Sequence, residues 1–345
     1  MTGTVFGGLD PRGGKLSYSL GIGLTNDCNL NCAHCYRDTD RVSFISLEQV
    51  QRICEAIPIH SIGMGTGENA LNPEFIPIVQ YLQGCGIRLS IASNGYSLTT
   101  IPEETLLAFQ EVEVSIDFPT QAEQDGWRGT GNWSLVYAAI DRCCRSGIEV
   151  SILTTMMRTN YQRMDEMVIL ARRDGLNLRV NAYQAVKTDA YRLLYNQFWE
   201  GYRRLFSEGL VIACSEPVVR AVMGLGDVQS PCGQRSIRIN PRGQVIPCVY
   251  WPVDHSGSTT LEDLYRLGGK VLKLPSFVSA RESASNAADC ACRGGCASRR
   301  ALNRRLDAHD DYCPWVRGET LDLPWRPAEV KDLLRAGNVC TTIVM

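Results

Sequence analysis

Cys28-Asn29-Leu30-Asn31-Cys32-Ala33-His34-Cys35-Tyr36 follows directly on an apolar, β-rich run, Ser17–Leu24. That run reads as a strand, so the cysteines occupy the loop at its carboxyl end. Their spacing gathers three thiolates around one small volume. Zinc would complete its tetrahedron with a fourth protein ligand from a partner knuckle. A cubane iron–sulfur cluster can be held by three thiolates, leaving one iron open to a chelating small molecule.

Outward from this loop, β-rich runs and helical patterns alternate. Further strands are expected at Ser61–Gly65, Ile87–Ala92, Val112–Asp117, Glu149–Thr155 and Leu178–Tyr183, with helices near 47–56, 74–84, 102–110, 133–145 and 161–173. Ser46, with Glu48 and Gln49 behind it, and Asn72-Pro73 before Glu74 are helix-start signals. Strands separated by helices imply a parallel sheet with right-handed crossovers. Six β units are too few for a closed eight-stranded barrel, so the α/β fold class expected is a partial (β/α)6 TIM-like barrel. Ligand sites in such folds lie at the carboxyl ends of the strands.

The 345 residues carry 35 Lys+Arg against 37 Asp+Glu, a net charge of −2, with 44% apolar and 21% charged residues. This is a globular balance, with no electrostatic reason to expect a nucleic-acid or anionic-membrane partner. No apolar run is long enough for a spanning helix. Met1-Thr2-Gly3-Thr4 opens without the features of a signal peptide, so a cytoplasmic protein is expected. Fifteen cysteines are many for such a compartment and point to metal ligation before disulfides. Cys232, Cys248, Cys290, Cys292, Cys296 and Cys313 crowd the last third. Cys54, Cys85, Cys143, Cys144, Cys214 and Cys340 are scattered and read as small buried hydrophobes.

The first triplet, followed by Tyr36, resembles the CxxxCxxC signature of the radical S-adenosylmethionine (SAM) superfamily. Other pieces resemble that family in order along the barrel. Thr66-Gly67-Glu68 looks like its GGE-type motif with Thr66 in place of a glycine, and Leu71-Asn72-Pro73-Glu74-Phe75 resembles the usual continuation. The resemblance implies that this motif binds the amino group of SAM. It further implies that Ser93-Asn94-Gly95 and Ser115-Ile116-Asp117 contact the ribose and the methionine carboxylate. Arg128, in Arg128-Gly129-Thr130-Gly131, would reach toward SAM, and His34 would pack near the adenine. The implied chemistry belongs to the cofactor: a [4Fe-4S] cluster on Cys28, Cys32 and Cys35 reduces SAM. The resulting 5′-deoxyadenosyl radical removes a hydrogen atom from the substrate. An external one-electron donor such as flavodoxin or ferredoxin is implied as a partner.

The organisation expected is an N-terminal extension (1–16), the barrel (17–187), a helical connection (188–225) and a small cysteine-rich domain (226–345). In the connection, Tyr195–Phe206 is amphipathic, with Phe198, Trp199, Tyr202 and Leu205 on one side. Ser236–Asn240 and Gln244–Pro247 form a hairpin pattern. The hairpin, with Cys232, Gly243 and Cys248 in step, resembles the opening of the SPASM/twitch extension of radical SAM enzymes. Cys292-Arg293-Gly294-Gly295-Cys296 and Cys313 resemble its close, although Cys290-Ala291-Cys292 replaces the CxxC of the full pattern. One or two auxiliary [4Fe-4S] clusters are implied. With two, Cys232, Cys248 and Cys296 serve the nearer and Cys290, Cys292 and Cys313 the farther. The missing ligands would be a non-cysteine side chain, a water or the substrate.

The resemblance leaves the substrate open between peptides and small molecules. With about sixteen residues before the first strand, the chain has no room there for a peptide-recognition module. A small polar molecule is therefore expected: a sugar, aminoglycoside or sugar nucleoside of a specialised-metabolite pathway, epimerised, dehydrogenated or decarboxylated. A maturase of a ribosomally made peptide is the alternative, and a non-catalytic iron–sulfur carrier or zinc scaffold the rival class. Substrate contacts are expected from Asn181, Tyr183, Gln184 and Lys187 after the sixth strand and from Arg235. Cys214 is the candidate hydrogen donor for an epimerase.

Overall fold

The computed structural model describes residues 17–225, 232–234, 236–253, 258–283, 290–329 and 340–345. Six strands lie parallel in chain order: β1 (Tyr18–Ile22), β2 (Ile59–Met64), β3 (Arg88–Ser93), β4 (Phe109–Ser115), β5 (Glu149–Met156) and β6 (Asn177–Ala182). Leu89, Ile91, Val112, Val114, Ile152, Leu178 and Val180 are buried, the apolar content a sheet covered by helices requires. The helices Leu47–Ala56, Phe75–Gly84, Asn132–Arg145 and Met164–Arg173 return the chain. Ser46 caps the first of these with a reciprocal capping box: its Oγ accepts from the Gln49 backbone, and Gln49 accepts from the Ser46 backbone. The partial (β/α)6 barrel read from the alternation is the fold observed.

The sheet is larger than that reading. Its order is β10-β7-β11-β6-β5-β4-β3-β2-β1-β8-β9, with β7 at Leu210–Cys214, β8 at Ser236–Ile239, β9 at Val245–Ile246, β10 at Arg326–Pro327 and β11 at Thr342–Val344. The hairpin β8–β9 forms as its pattern indicates, and β8 adds in parallel to β1. β7 falls in the stretch read as helical; a five-residue apolar run has too little length for its period to separate strand from helix. β11 lies antiparallel between β6 and β7.

The aromatic stripe of the helix Tyr195–Glu208 is core, as its spacing suggests: Phe198, Trp199, Tyr202 and Leu205 are buried. It packs on the cysteine-rich region, with Phe198 stacked on Tyr312 at 4.0 Å and Trp199 Nε1 donating to the Tyr312 carbonyl at 3.1 Å. Beside them Arg299 joins two buried carboxylates, Glu216 at 2.8 Å and Asp310 at 2.7 Å. Asp310 also accepts from the Cys296 backbone N–H at 2.8 Å. Among the described residues no helix is long and apolar enough to cross a membrane.

Removing one member of a buried ion cluster leaves its partners charged without compensation. Arg299→Ala is expected to destabilise the fold by roughly 3–5 kcal/mol, read as a lower urea midpoint at unchanged slope. A loss below about 1 kcal/mol, the worth of an exposed pair, would contradict this account.

Candidate active site

The loop carrying Cys28, Cys32 and Cys35 leaves the carboxyl end of β1 and is held by its own backbone. Arg37 donates to the carbonyls of Asn26 (2.9 Å) and Leu30 (2.7 Å), and Cys35 N donates to the Cys32 carbonyl at 3.0 Å. All three half-buried thiols open on a cavity of about 900 Å³ inside the barrel. Burial pushes the Cys28 thiol up to about 11 and raises Cys32 as well. Such thiols ionise against a metal rather than against water. Among the described residues only Cys290, Cys292 and Cys313 bring three donor atoms within 4.8 Å of one another. The first triplet is therefore spread more widely than the ~3.8 Å sulfur spacing that a tetrahedral zinc–thiolate site imposes. Three thiolates at that spread suit a polynuclear cluster.

The strand ends around the triplet are knitted together. Thr66 sits at φ +73°, a strained conformation for a β-branched residue. This is the position where the motif departs from glycine. Its hydroxyl bonds the Tyr36 hydroxyl at 2.8 Å. Gly67, at φ +66°, has no such tolerance: a Cβ there would run into the carbonyl oxygens of Thr25 and Asp27. The buried Glu68 carboxylate accepts from Ser93 Oγ (2.5 Å), Asn94 N (3.0 Å) and Ser97 N (2.8 Å). It thus ties the end of β2 to that of β3. Ser93 Oγ in turn accepts from Gly95 N at 2.9 Å. Asn94 extends the tie to the cysteine loop, its amide donating to Asn29 Oδ1 (2.8 Å) and Cys28 Sγ (3.4 Å). Ser115 lines the cavity at the end of β4.

Asp117, quoted in its motif but given no role of its own by the sequence, is the hub of the next strand end. Fully buried, it takes both Arg128 Nε and Nη2 at 2.8 Å and lies 3.4 Å from His34 Nε2. Arg128 Nη1 reaches to 4.0 Å from Cys32 Sγ. His34 stacks on Trp127 at 5.4 Å. Buried His34 Nδ1, Asn181 Oδ1 and Gln184 Oε1 find no partner among the described residues, although Asn181, Gln184 and His34 line the cavity. Buried polar atoms left open in this way fit a bound polar ligand.

Sequence reasoning missed the charged barrel wall. Arg179 pairs with Glu111 and lies 3.3 Å from Glu113, and Arg238 lines the same cavity from β8. The signal was present: Glu111-Val-Glu113-Val-Ser115 alternates polar and apolar in a strand whose outer face is helix-covered.

Some predicted positions do not converge. Tyr183 lines the cavity but gives its hydroxyl to the Thr188 carbonyl at 2.9 Å. Lys187 is exposed, near Thr39 (3.4 Å), and is not among the lining residues. Cys214, the candidate hydrogen donor, is buried at the end of β7 against Thr342 Oγ1 at 3.3 Å. It lies away from the cavity because β11 inserts beside it. Arg235 lies outside the described residues. Of the scattered cysteines only Cys143 and Cys214 are buried, while Cys85 and Cys144 are exposed.

In the C-terminal region Cys290, Cys292 and Cys313 form a buried trio. The sulfurs of Cys290 and Cys292 are 3.1 Å apart, those of Cys292 and Cys313 3.5 Å, and His309 Nδ1 lies 3.7 Å from Cys290 Sγ. His309 was not foreseen. The hydrogen bond from Cys292 draws the Cys313 thiol down to about 6, so one sulfur of the trio is readily a thiolate. Cys248 contacts the Cys232 thiol and has Cys296 near it.

The Radical SAM superfamily profile matches residues 22–171, the barrel strands and the cysteine loop just described. The matched segment is a radical SAM domain. Mycofactocin maturase MftC of Mycobacterium tuberculosis is 26% identical over 316 residues, covering 84% of this chain and 81% of that protein. The antilisterial bacteriocin subtilosin biosynthesis protein AlbA of Bacillus subtilis is 23% identical over 326 residues, covering 87% and 71%. Among solved structures, anSMEcpe with bound AdoMet aligns with TM-score 0.68 at 17% identity over 87% of this chain and 91% of that one. Streptococcus suis SuiB bound to precursor peptide SuiA aligns with TM-score 0.61 at 14% identity, over 86% and 76%. This protein is accordingly a radical SAM enzyme, with a [4Fe-4S] cluster and SAM as cofactors.

These relatives overturn one expectation. A small polar substrate was inferred from the short stretch ahead of β1, yet relatives matching over most of their length are maturases and bacteriocin biosynthesis proteins. The length of the stretch before β1 therefore does not decide the substrate.

Gly67→Ala is expected to destabilise the protein by about 2 kcal/mol or more, since both its dihedral and its neighbours exclude a side chain. Thr66→Gly, which relieves strain, is expected to leave the urea midpoint unchanged or raise it. Equal losses for the two would contradict the assigned backbone geometry.

Proposed function

We propose that this radical SAM enzyme is a maturase of a ribosomally made peptide, with residues 17–187 as its catalytic barrel and residues 226–345 as a SPASM-like auxiliary region. The observation that carries the reading is similarity to a maturase over most of the chain, joined to a cavity of about 900 Å³ that opens on the three thiols. Similarity to MftC over 84% and to AlbA over 87% of this chain supports a peptide as its occupant.

Cys28, Cys32 and Cys35 would hold the cluster, and SAM would lie over Thr66–Glu68, Ser93, Asn94 and Ser115. When bound, cluster and SAM together supply one-electron cleavage of a carbon–sulfur bond and, through it, hydrogen abstraction. The chain's own residues position that chemistry. Asn94 donates to the Cys28 sulfur, stabilising its anionic form. Asp117 fixes Arg128 so that a cation stands beside Cys32, where it would attract the carboxylate of a bound ligand. Glu68 acts through the backbone it anchors, and Oε2, with one donor among the described residues, keeps a lone pair for an ammonium group. Asn181, Gln184 and the Glu111–Arg179–Glu113 wall provide polar groups for a peptide backbone. Cys232, Cys248 and Cys296 would hold one auxiliary iron–sulfur cluster. Cys290, Cys292 and Cys313, with His309 adjacent, would hold a second metal centre, their sulfurs drawn closer together than those of the first.

The test is anaerobic reconstitution followed by SAM and dithionite, with 5′-deoxyadenosine and peptide mass as readouts. The expected result is 5′-deoxyadenosine from the parent, background levels from Cys32→Ala, and a mass change in a short peptide encoded beside the gene. Undiminished 5′-deoxyadenosine from Cys32→Ala would refute the triplet. Peptides unaltered in mass, beside an altered sugar or nucleoside, would refute the maturase reading. Asp117→Asn is expected to lower the rate with iron content unchanged, because Arg128 loses its buried anchor. Unchanged turnover would remove Asp117 from the site.

A further inference from the structure

Cys340 reads in sequence as one more scattered cysteine, and the fold gives it company. β11 is clamped between β6 and β7. Ser215 N donates to the Thr341 carbonyl at 2.8 Å, and Thr341 N donates to Ser215 Oγ at 3.1 Å. This pins the chain at the residue following Cys340. The Cys340 thiol is thereby brought into hydrogen-bonding contact with the thiols of both Cys232 and Cys296. Cys232 in turn contacts Cys248. Four sulfurs from three segments, the stretch around the β8–β9 hairpin, the turn at Cys296 and the chain before β11, thus form a connected series, Cys248–Cys232–Cys340–Cys296.

We propose that Cys340 is the fourth thiolate of the auxiliary iron–sulfur cluster nearest the SAM site, completing the set Cys232, Cys248 and Cys296. The inference rests on the reading above that those three hold a cluster. Two further observations support it. Among the described residues this series contains no three donors within 4.8 Å of one another. It is therefore wider than one tetrahedral ion with its ~3.8 Å sulfur spacing would impose, and a cluster spreads its thiolates over several irons. The buried guanidinium of Arg238 stands in the field of Cys248, Cys232 and Cys340 together. Its place is made by Gly21, where any side chain would meet it. Four thiolates and four sulfides outweigh the charge of four irons, so a buried cation beside them offsets the excess.

The consequence is functional. A cluster with four thiolates has no open iron for the substrate, so the peptide would be held by the barrel wall while this cluster stays outside its coordination. Tyr250, which lines the cavity, lies in the field of Cys248, Cys340 and Cys35, so the thiol series flanks the catalytic cavity.

The experiment uses the full chain, reconstituted anaerobically, with Cys28, Cys32 and Cys35 changed to Ala so that only auxiliary clusters remain. Into that background go Cys340→Ala, Cys340→Ser, Cys232→Ala and, as a control, exposed Cys85→Ala. Iron, sulfide and the EPR spectrum of the reduced protein are measured, and iron release to a chelator is timed. The expected result is a changed EPR signal and release at least about tenfold faster for both Cys340 variants, since a ligand should matter no less than its supporting shell. Cys85→Ala should match the background. Cys232→Ala losing iron while the Cys340 variants keep iron, spectrum and release rate would overturn the proposal and leave the cluster reading intact. Cys232→Ala keeping all of its iron would sink the underlying reading itself. Alkylation of the unmutated holoprotein is independent of how any variant folds. Cys340 should be protected until the iron is chelated, whereas labelling before chelation as fast as at Cys85 would also overturn the assignment.

Discussion

Parallel strand direction is the constraint on which the site depends. Because β1 to β6 all run the same way, their carboxyl ends meet at one rim. Residues almost a hundred positions apart in the chain, such as Cys32 and Arg128, become neighbours there. Each strand end contributes only two or three polar residues. Short crosslinks then turn separate loops into one surface. Glu68 bridges β2 to β3, Asn94 bridges β3 to the cysteine loop, and Asp117 bridges β4 to Arg128. In a buried setting these charged hydrogen bonds are directional and strong, and they orient the thiols before any cofactor arrives.

The same sheet places the cysteine-rich region against the barrel. β8 extends it on the β1 side and β11 on the β6 side, so two segments from the last third of the chain enter a single hydrogen-bonded layer. The buried Glu216–Arg299–Asp310 cluster and the Phe198–Tyr312 stack fix the cysteine-bearing turns to the helix Tyr195–Glu208. Buried ion clusters of this kind are poor sources of net stability but demanding in geometry. That demand suits a part of the molecule whose task is to hold thiols at set positions.

Peptide maturation and small-molecule chemistry place similar requirements on the SAM end of such a barrel. Further along the barrel interior, Glu111, Glu113, Arg179 and Arg238 add charge to a lining that also carries Ser61, Ser90 and Thr155. A cavity of about 900 Å³ would leave room beside SAM for part of an extended chain, whose backbone groups would find partners among these polar side chains. The relatives that span most of this chain agree with that reading.

The amino-acid sequence by itself determined the periodic parts: six strands, the helices between them, the capping box at Ser46 and the hairpin β8–β9. These rest on local alternation and start signals that each segment carries alone. The three-cysteine loop was equally legible, because its spacing is local. Tertiary structure alone decided the rest. β7 and β11 are too short for a period to show. Asp117 and Glu68 acquire their roles only when distant strand ends meet, and His309 only when its loop folds beside Cys290. Cys340 is set beside Cys232 and Cys296 by strand pairing over a separation that no local pattern can encode.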